Sequence, residues 1–200
     1  MSRAFEFTRR DLLAKVAAGA AIVMTADAQH VHEAVAQEKA AAKGPYKPKA
    51  LTAHEYATVQ KLSDLIIPAD EHSPGALAAG AADFIDFLCN ASDEMRDIWT
   101  GGLMWLDEAT KDRATGKVFL DATPQQQTAL LDLIAYRKNA SPQLNPGIEF
   151  FAFCRRLVAD AYYSSPIGYK EVGFMGNGAV SQFSVPKEAV EYALKRSGLG

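Results

Sequence analysis

No stretch of this chain alternates apolar and polar residues over a strand's length, and that constrains its fold more than any other feature. Apolar residues recur instead every three to four positions, in runs that open on helix caps. Thr52 precedes Glu55 by three, a capping box in which each side chain satisfies the other's free backbone N–H. Tyr56, Val59, Leu62 and Ile66 follow at helical spacing, and Pro68 marks the end. Ala76 to Asn90 is alanine-rich, with Phe84, Ile85, Phe87 and Leu88 as its buried stripe. Ser92 caps a run through Met95, Ile98, Trp99, Leu103 and Leu106, in which Gly101-Gly102 predicts an interruption with a kink. Thr123-Pro124-Gln125-Gln126 combines a cap, a proline at the first helical position and a glutamine at the third. From Phe150 to Tyr163, two adjacent stripes (Phe150, Cys154, Leu157, Ala161 and Phe151, Val158, Tyr162) give the broad apolar face of a central helix. Pro186-Lys187-Glu188 opens a last short helix. The expectation is an all-α fold: one compact domain of five or six helices over residues 51–200.

Between the last two helices the period is lost. Tyr162-Tyr163-Ser164-Ser165-Pro166-Ile167-Gly168-Tyr169 runs on through Gly173, Phe174, Met175, Gly176, Asn177 and Gly178. This predicts a long ordered C-terminal loop, because so much aromatic and aliphatic surface is ill suited to a solvated coil. Its surroundings are open at this point: its own core, a ligand or another protein.

The N-terminus reads as an export signal. Arg9 and Arg10 are followed by Asp11, Leu12, Leu13 and Lys15, then by an apolar run from Val16 to Met24. Ala26-Asp27-Ala28 supplies a small-residue site, with cleavage expected after Ala28. The alternative is an amphipathic helix with a chance pair of arginines. The twin-arginine route exports folded cargo, so a small protein bearing its signal either binds a cofactor or travels with something that does. The expected organisation is a signal over 1–28, a flexible polar linker over 29–50 and the helical domain over 51–200. The linker's first half reads as a fraying helix, and His30 and His32 as solvated tail residues.

The chemistry-bearing motifs are mostly missing. A net charge of −3 with no basic stripe argues against nucleic acid. Two cysteines, Cys89 and Cys154, make neither a disulfide scaffold nor a zinc pattern and read as core residues. The glycines of 173–178 follow a helix rather than a strand and have the wrong spacing for a dinucleotide fingerprint. Asp70, Glu71 and His72 sit in a loop that reads as a turn capping the next helix, with Ser73 ahead of Pro74. His54, in a first helical turn, reads as exposed. No catalytic, cofactor-binding or metal-binding residue is expected on this chain.

The chain resembles the gluconate 2-dehydrogenase subunit 3 family over nearly its whole length. The resemblance rests on the twin-arginine signal, on Leu65-Ile66-Ile67-Pro68-Ala69-Asp70-Glu71-His72-Ser73-Pro74-Gly75-Ala76, on Phe84-Ile85-Asp86-Phe87, and most of all on Tyr162 to Glu171 with Gly173-Phe174-Met175-Gly176-Asn177. It implies a non-catalytic small subunit. The implied partner is a large glucose–methanol–choline type flavoprotein that holds FAD and oxidises the sugar. In such complexes a cytochrome c subunit, with haem c, often takes the electrons. The small subunit would bind the large one, stabilise it and carry it through the twin-arginine translocase to the periplasm, where partners link it to the membrane. Two other readings are a subunit contributing directly to the active site or electron transfer, and an independent periplasmic binding module. The expected interface, given aromatic and Met enrichment at protein contacts, comprises Tyr162, Tyr163, Ser165, Pro166, Ile167, Gly168, Tyr169, Phe174, Met175 and Asn177, with Pro68 to Ala76 beside it. Packing of this segment on its own helices is the alternative.

Overall fold

A computed structural model of the chain describes residues 28–173 and 185–197. Among these residues the structure is helical, without strands. Nine α-helices follow in order: α1 (Ala28–Ala42), α2 (Ala53–Ile66), α3 (Gly75–Ala78), α4 (Ala81–Ala91), α5 (Asp93–Lys111), α6 (Pro124–Ile134), α7 (Asn145–Tyr163), α8 (Pro166–Glu171) and α9 (Lys187–Ser197). Two single 3-10 turns, Phe119–Asp121 and Arg137–Asn139, flank α6. No described helix is long and apolar enough to cross a membrane.

The caps read from the sequence form as expected. Both capping boxes, Thr52 with Glu55 and Thr123 with Gln126, are complete. Ser92 ends α4 and at once starts α5, its hydroxyl accepting from Met95 N–H.

The α7 helix is the central element. It buries Phe150, Phe151, Cys154, Leu157, Val158, Ala161 and Tyr162, the two stripes predicted for it, together with Phe153 and, in its first turn, Pro146, Gly147 and Ile148. It packs on α3, α4, α5 and α6. Trp99, wholly buried on α5, meets Phe150 edge-on with ring centroids 5.5 Å apart. Cys89 and Cys154 are both buried and free, and burial pushes both thiols well above their ordinary range.

Two expectations are corrected here. The helix α5 runs unbroken through Gly101-Gly102, so the pair does not interrupt it. Gly102 serves as a seat for an aromatic ring: a Cβ there would stand 2.0 Å from Phe150 Cδ2. The segment 29–50 is not a loose linker. Val31 and Val35 of α1 enter the core, and the chain that follows is pinned by one buried carboxylate, Asp86 of α4. Asp86 Oδ2 accepts from Tyr46 O–H at 2.9 Å and Lys49 N–H at 2.8 Å. Its Oδ1 accepts from the N–H groups of Ala50 at 3.1 Å and Leu51 at 2.8 Å. A one-turn neighbour on α4, Asp83, pairs with Lys39 of α1 and accepts from Tyr56 O–H. The polar composition that suggested a linker belongs to the outer face of α1 and to the proline-containing segment after it, which Asp86 holds. Its two valines, four apart, are the inner stripe, too thin to stand out in an alanine-rich run.

Candidate functional site

The two motif segments that are far apart in sequence, 67–76 and 162–171, meet in the fold. Tyr162, wholly buried at the end of α7, brings them together. Its hydroxyl donates to Glu171 of α8 and is hydrogen-bonded to Ser73 of the loop before α3. One phenol thus ties loop, central helix and following helix into a unit.

Each side of this junction is built by local rules. On one side, Asp70 Oδ1 accepts from the N–H groups of His72 and Ser73, both at 2.8 Å. These bonds hold the Asp70 carboxyl below its usual range, His72 N–H contributing most. Asp70, Glu71 and His72 are exposed, and this is the turn chemistry expected of them. Ser73 does more than precede a helix: its hydroxyl accepts from Gly75 N–H at 3.2 Å while holding Tyr162. Gly75 has φ +76°, and a Cβ there would meet Ala69 N at 2.6 Å and Ile67 O at 2.8 Å, so no other residue fits this turn without moving the backbone.

On the other side, the expected long loop is corrected in its first part. Residues 166–171 form α8. Ser165 caps it, accepting from Gly168 N–H at 3.1 Å and donating to Tyr162 O at 2.7 Å, with Pro166 at the first helical position. The signal was legible, since Ser165-Pro166 repeats the logic of Thr123-Pro124; the glycines that follow hid it. Gly168 lets α8 lie against the end of α7, where a Cβ would stand 2.2 Å from Tyr162 O.

The expected interface residues therefore separate into two sets. Tyr162, Ser165 and Gly168 are buried and organise the junction. Tyr163 and Pro166 are exposed, and Ile167 and Tyr169 are half-buried, Ile167 against the core. Phe174, Met175 and Asn177 lie outside the described residues, as do Arg9, Arg10, Leu12, Leu13 and Ala26 of the export signal; Ala28 is the first residue of α1. The exposed part is mixed, with Asp70, Glu71, His72, Lys170 and Glu171 standing among apolar side chains. Leu77, Tyr163 and Val172, at 45%, 47% and 57% exposure, all stand on the two converging segments or directly beside them.

Beside the junction lies a cleft of about 420 Å³ between α1, the α3–α4 turn and α8. His32 stands at its base. Its Nε2 is 2.8 Å from Ala161 O and 3.1 Å from Ser164 Oγ, and its ring lies 4.9 Å from that of Phe84. Ala161 O is one of the free carbonyls at the end of α7, so the imidazole N–H caps that helix from a distant part of the chain. His32 is no tail residue, a correction that follows from the docking of α1. Burial moves its pKa below the ordinary 6.5, opposed by the bond to Ala161 O. The fold thus prefers the neutral ring, and its contribution to stability is complete above about pH 6.5 and declines as the pH falls through and below that value. Lowering the pH from about 7.5 to about 5 should cost the wild type more thermal stability than a His32→Gln variant, measured by calorimetry. Equal losses would place the titration elsewhere.

A second cleft, of about 580 Å³, lies between the start of α2 and α5. There His54 Nε2 meets Asp107 Oδ2 at 2.6 Å, and Asp107 Oδ1 accepts Phe119 N–H at 2.9 Å. This pair joins α2, α5 and the first 3-10 turn, a role for His54 that no local pattern revealed. Among the described residues no three His, Cys, Asp or Glu side chains gather as a metal site.

The family model described as gluconate 2-dehydrogenase subunit 3 matches residues 53–178. The chain belongs to the gluconate 2-dehydrogenase subunit 3 family. The match takes in both segments joined through Tyr162, and the buried Asp86. It begins after α1 and ends before α9. No curated protein and no solved structure matches the chain. Membership in a subunit family implies a multi-subunit dehydrogenase complex.

Proposed function

We propose that this chain is the accessory, non-catalytic subunit of a sugar dehydrogenase complex. It binds and stabilises a large FAD-dependent subunit of the glucose–methanol–choline type and escorts it through the twin-arginine pathway to the periplasm. The observation that carries this reading is the convergence of the two motif segments on the buried Tyr162, with Leu77, Tyr163 and Val172 exposed on or directly beside them. Side chains of this kind, set on a rigid junction, suit burial against another protein. An escort must hold its cargo throughout transit, which calls for a stable and therefore extensive interface. FAD would reside in the large subunit, and haem c in a cytochrome subunit that receives the electrons.

The test is co-export. Cells expressing both subunits are fractionated with wild-type signal and with Arg9→Lys/Arg10→Lys. The expected result is loss of about nine-tenths or more of the periplasmic sugar:acceptor activity, one order of magnitude, with the flavoprotein retained in the cytoplasm beside its small subunit. Flavoprotein found in the periplasm at wild-type level would refute the escort.

A further inference from the structure

The sequence ends the export signal at Ala28, and the structure makes Ala28 the first residue of α1. These two assignments make opposite demands on one stretch of backbone. A peptidase that reads small side chains at alternate positions, here Ala26 and Ala28, needs an extended chain, in which residues two apart point the same way. In a helix of about 3.6 residues per turn they point about 200° apart. Ala28 and Gln29 are both helical, so the bond between them is not in the extended form.

Helix ends fray readily, but this one is tied down. Ala28 itself packs against the core, and Val31 and Val35 are buried in it. His32, one turn after Ala28, sets its Nε2 2.8 Å from Ala161 O and 3.1 Å from Ser164 Oγ. Lys39 pairs with Asp83, and Asp86 holds the residues that follow α1. Every one of these partners comes later in the chain, on α4 or at the end of α7, so α1 docks on a body that has already folded. By itself α1 has 15 residues and a stripe of two valines. A helix of that length is marginal in water without tertiary support. Once undocked, α1 is free to unwind and to present the bond.

We propose that docking of α1 protects the Ala28–Gln29 bond from signal peptidase, so that the exported chain keeps its leader. The proposal rests on the export-signal reading. The twin-arginine route carries cargo already folded, so α1 is docked before the chain meets the peptidase. Hydrolysis of that amide, which would free Gln29 as a new α-amino terminus, then waits on opening of the first turn of α1. Its rate follows the population of the open form.

The experiment incubates the purified full-length chain, leader included, with signal peptidase in detergent. Intact mass follows the appearance of a chain that begins at Gln29. Val31→Asp/Val35→Asp takes α1 off the core, and His32→Ala/Lys39→Ala removes its polar ties while keeping the valines, so that one misfolded variant does not decide the matter. Amide exchange over 28–42 shows that α1 is released, and the thermal transition shows that the body is folded. The wild type is expected to be cut about tenfold or more slowly than a variant that meets both conditions. Wild type recovered from the periplasm is expected to begin at Met1 or Ser2. Released variants cut no faster than the wild type overturn the proposal, because docking of α1 is then not what guards the bond. A periplasmic wild type that begins at Gln29 overturns it as well. Wild type missing from the periplasm refutes the export-signal reading instead, and the comparison of rates still decides whether docking protects the bond.

Discussion

Asp86→Ala is expected to lower the unfolding free energy by about 3–5 kcal/mol, the range for breaking a fully buried charged group away from its partners. Asp86 is wholly buried and accepts four hydrogen bonds, three of them from consecutive backbone N–H groups of Lys49, Ala50 and Leu51. Alanine leaves those donors without an acceptor, and each buried unpaired donor costs about 1–3 kcal/mol. The chain can recover part of that cost only by lifting residues 46–51 into water, which would also strip Tyr46 and Leu51 from the core. Urea denaturation gives the number, and amide exchange over 28–51 shows which route the chain takes. Asp86→Asn keeps an acceptor on one side and places an NH₂ against donors on the other, so it should fall between the wild type and alanine. A loss below about 1 kcal/mol for alanine, the worth of a single ordinary hydrogen bond, would show that the carboxylate does not pin the segment.

Gly168→Ala is expected to damage partner binding more than stability. A Cβ would stand 2.2 Å from Tyr162 O and 2.8 Å from Tyr163 Cα, both backbone atoms that cannot turn aside. The short helix α8 must therefore shift away from α7, taking Glu171 from Tyr162 and moving Pro166 and Tyr169 at the edge of the cleft. Since α8 is peripheral, the global cost should remain near that of ordinary overpacking, about 1–3 kcal/mol. Locally, exchange protection of 166–171 should be lost, because short outer elements open independently of the core. Recovery of the large subunit on affinity-tagged small subunit should then fall by about tenfold or more. A variant with normal exchange and normal recovery would show that α8 does not position the binding face.

Taken residue by residue, much of this protein was legible in the one-dimensional chain. Helices whose apolar spacing and caps agree, such as Thr52–Ile66 and Thr123–Ile134, need only local physics: a cap satisfies orphan N–H groups and a stripe finds the core. The double stripe of α7 announced its central place. The family too was carried by short local runs, because a turn such as Asp70–Gly75 requires its own residues whatever surrounds it. The helix α8 belonged to this legible part, and Ser165-Pro166 signalled it.

Other features depend on what a side chain meets from elsewhere in the chain. Nothing near Gly102 says that Phe150 will sit on it, so a glycine pair that locally signals a kink becomes a seat for a ring. Nothing near His32 says that the end of α7 lies within reach, and nothing around Tyr46–Leu51 reveals that Asp86 will collect their donors. Tyr162 shows the division most clearly. The sequence places it both on an apolar stripe of α7 and in the expected interface; the fold buries it and leaves Tyr163 exposed. Local sequence determines which backbone conformations and which apolar faces are available. Only tertiary packing, which brings partners about a hundred residues apart within hydrogen-bond distance, decides which residues build the junction from within and which remain exposed.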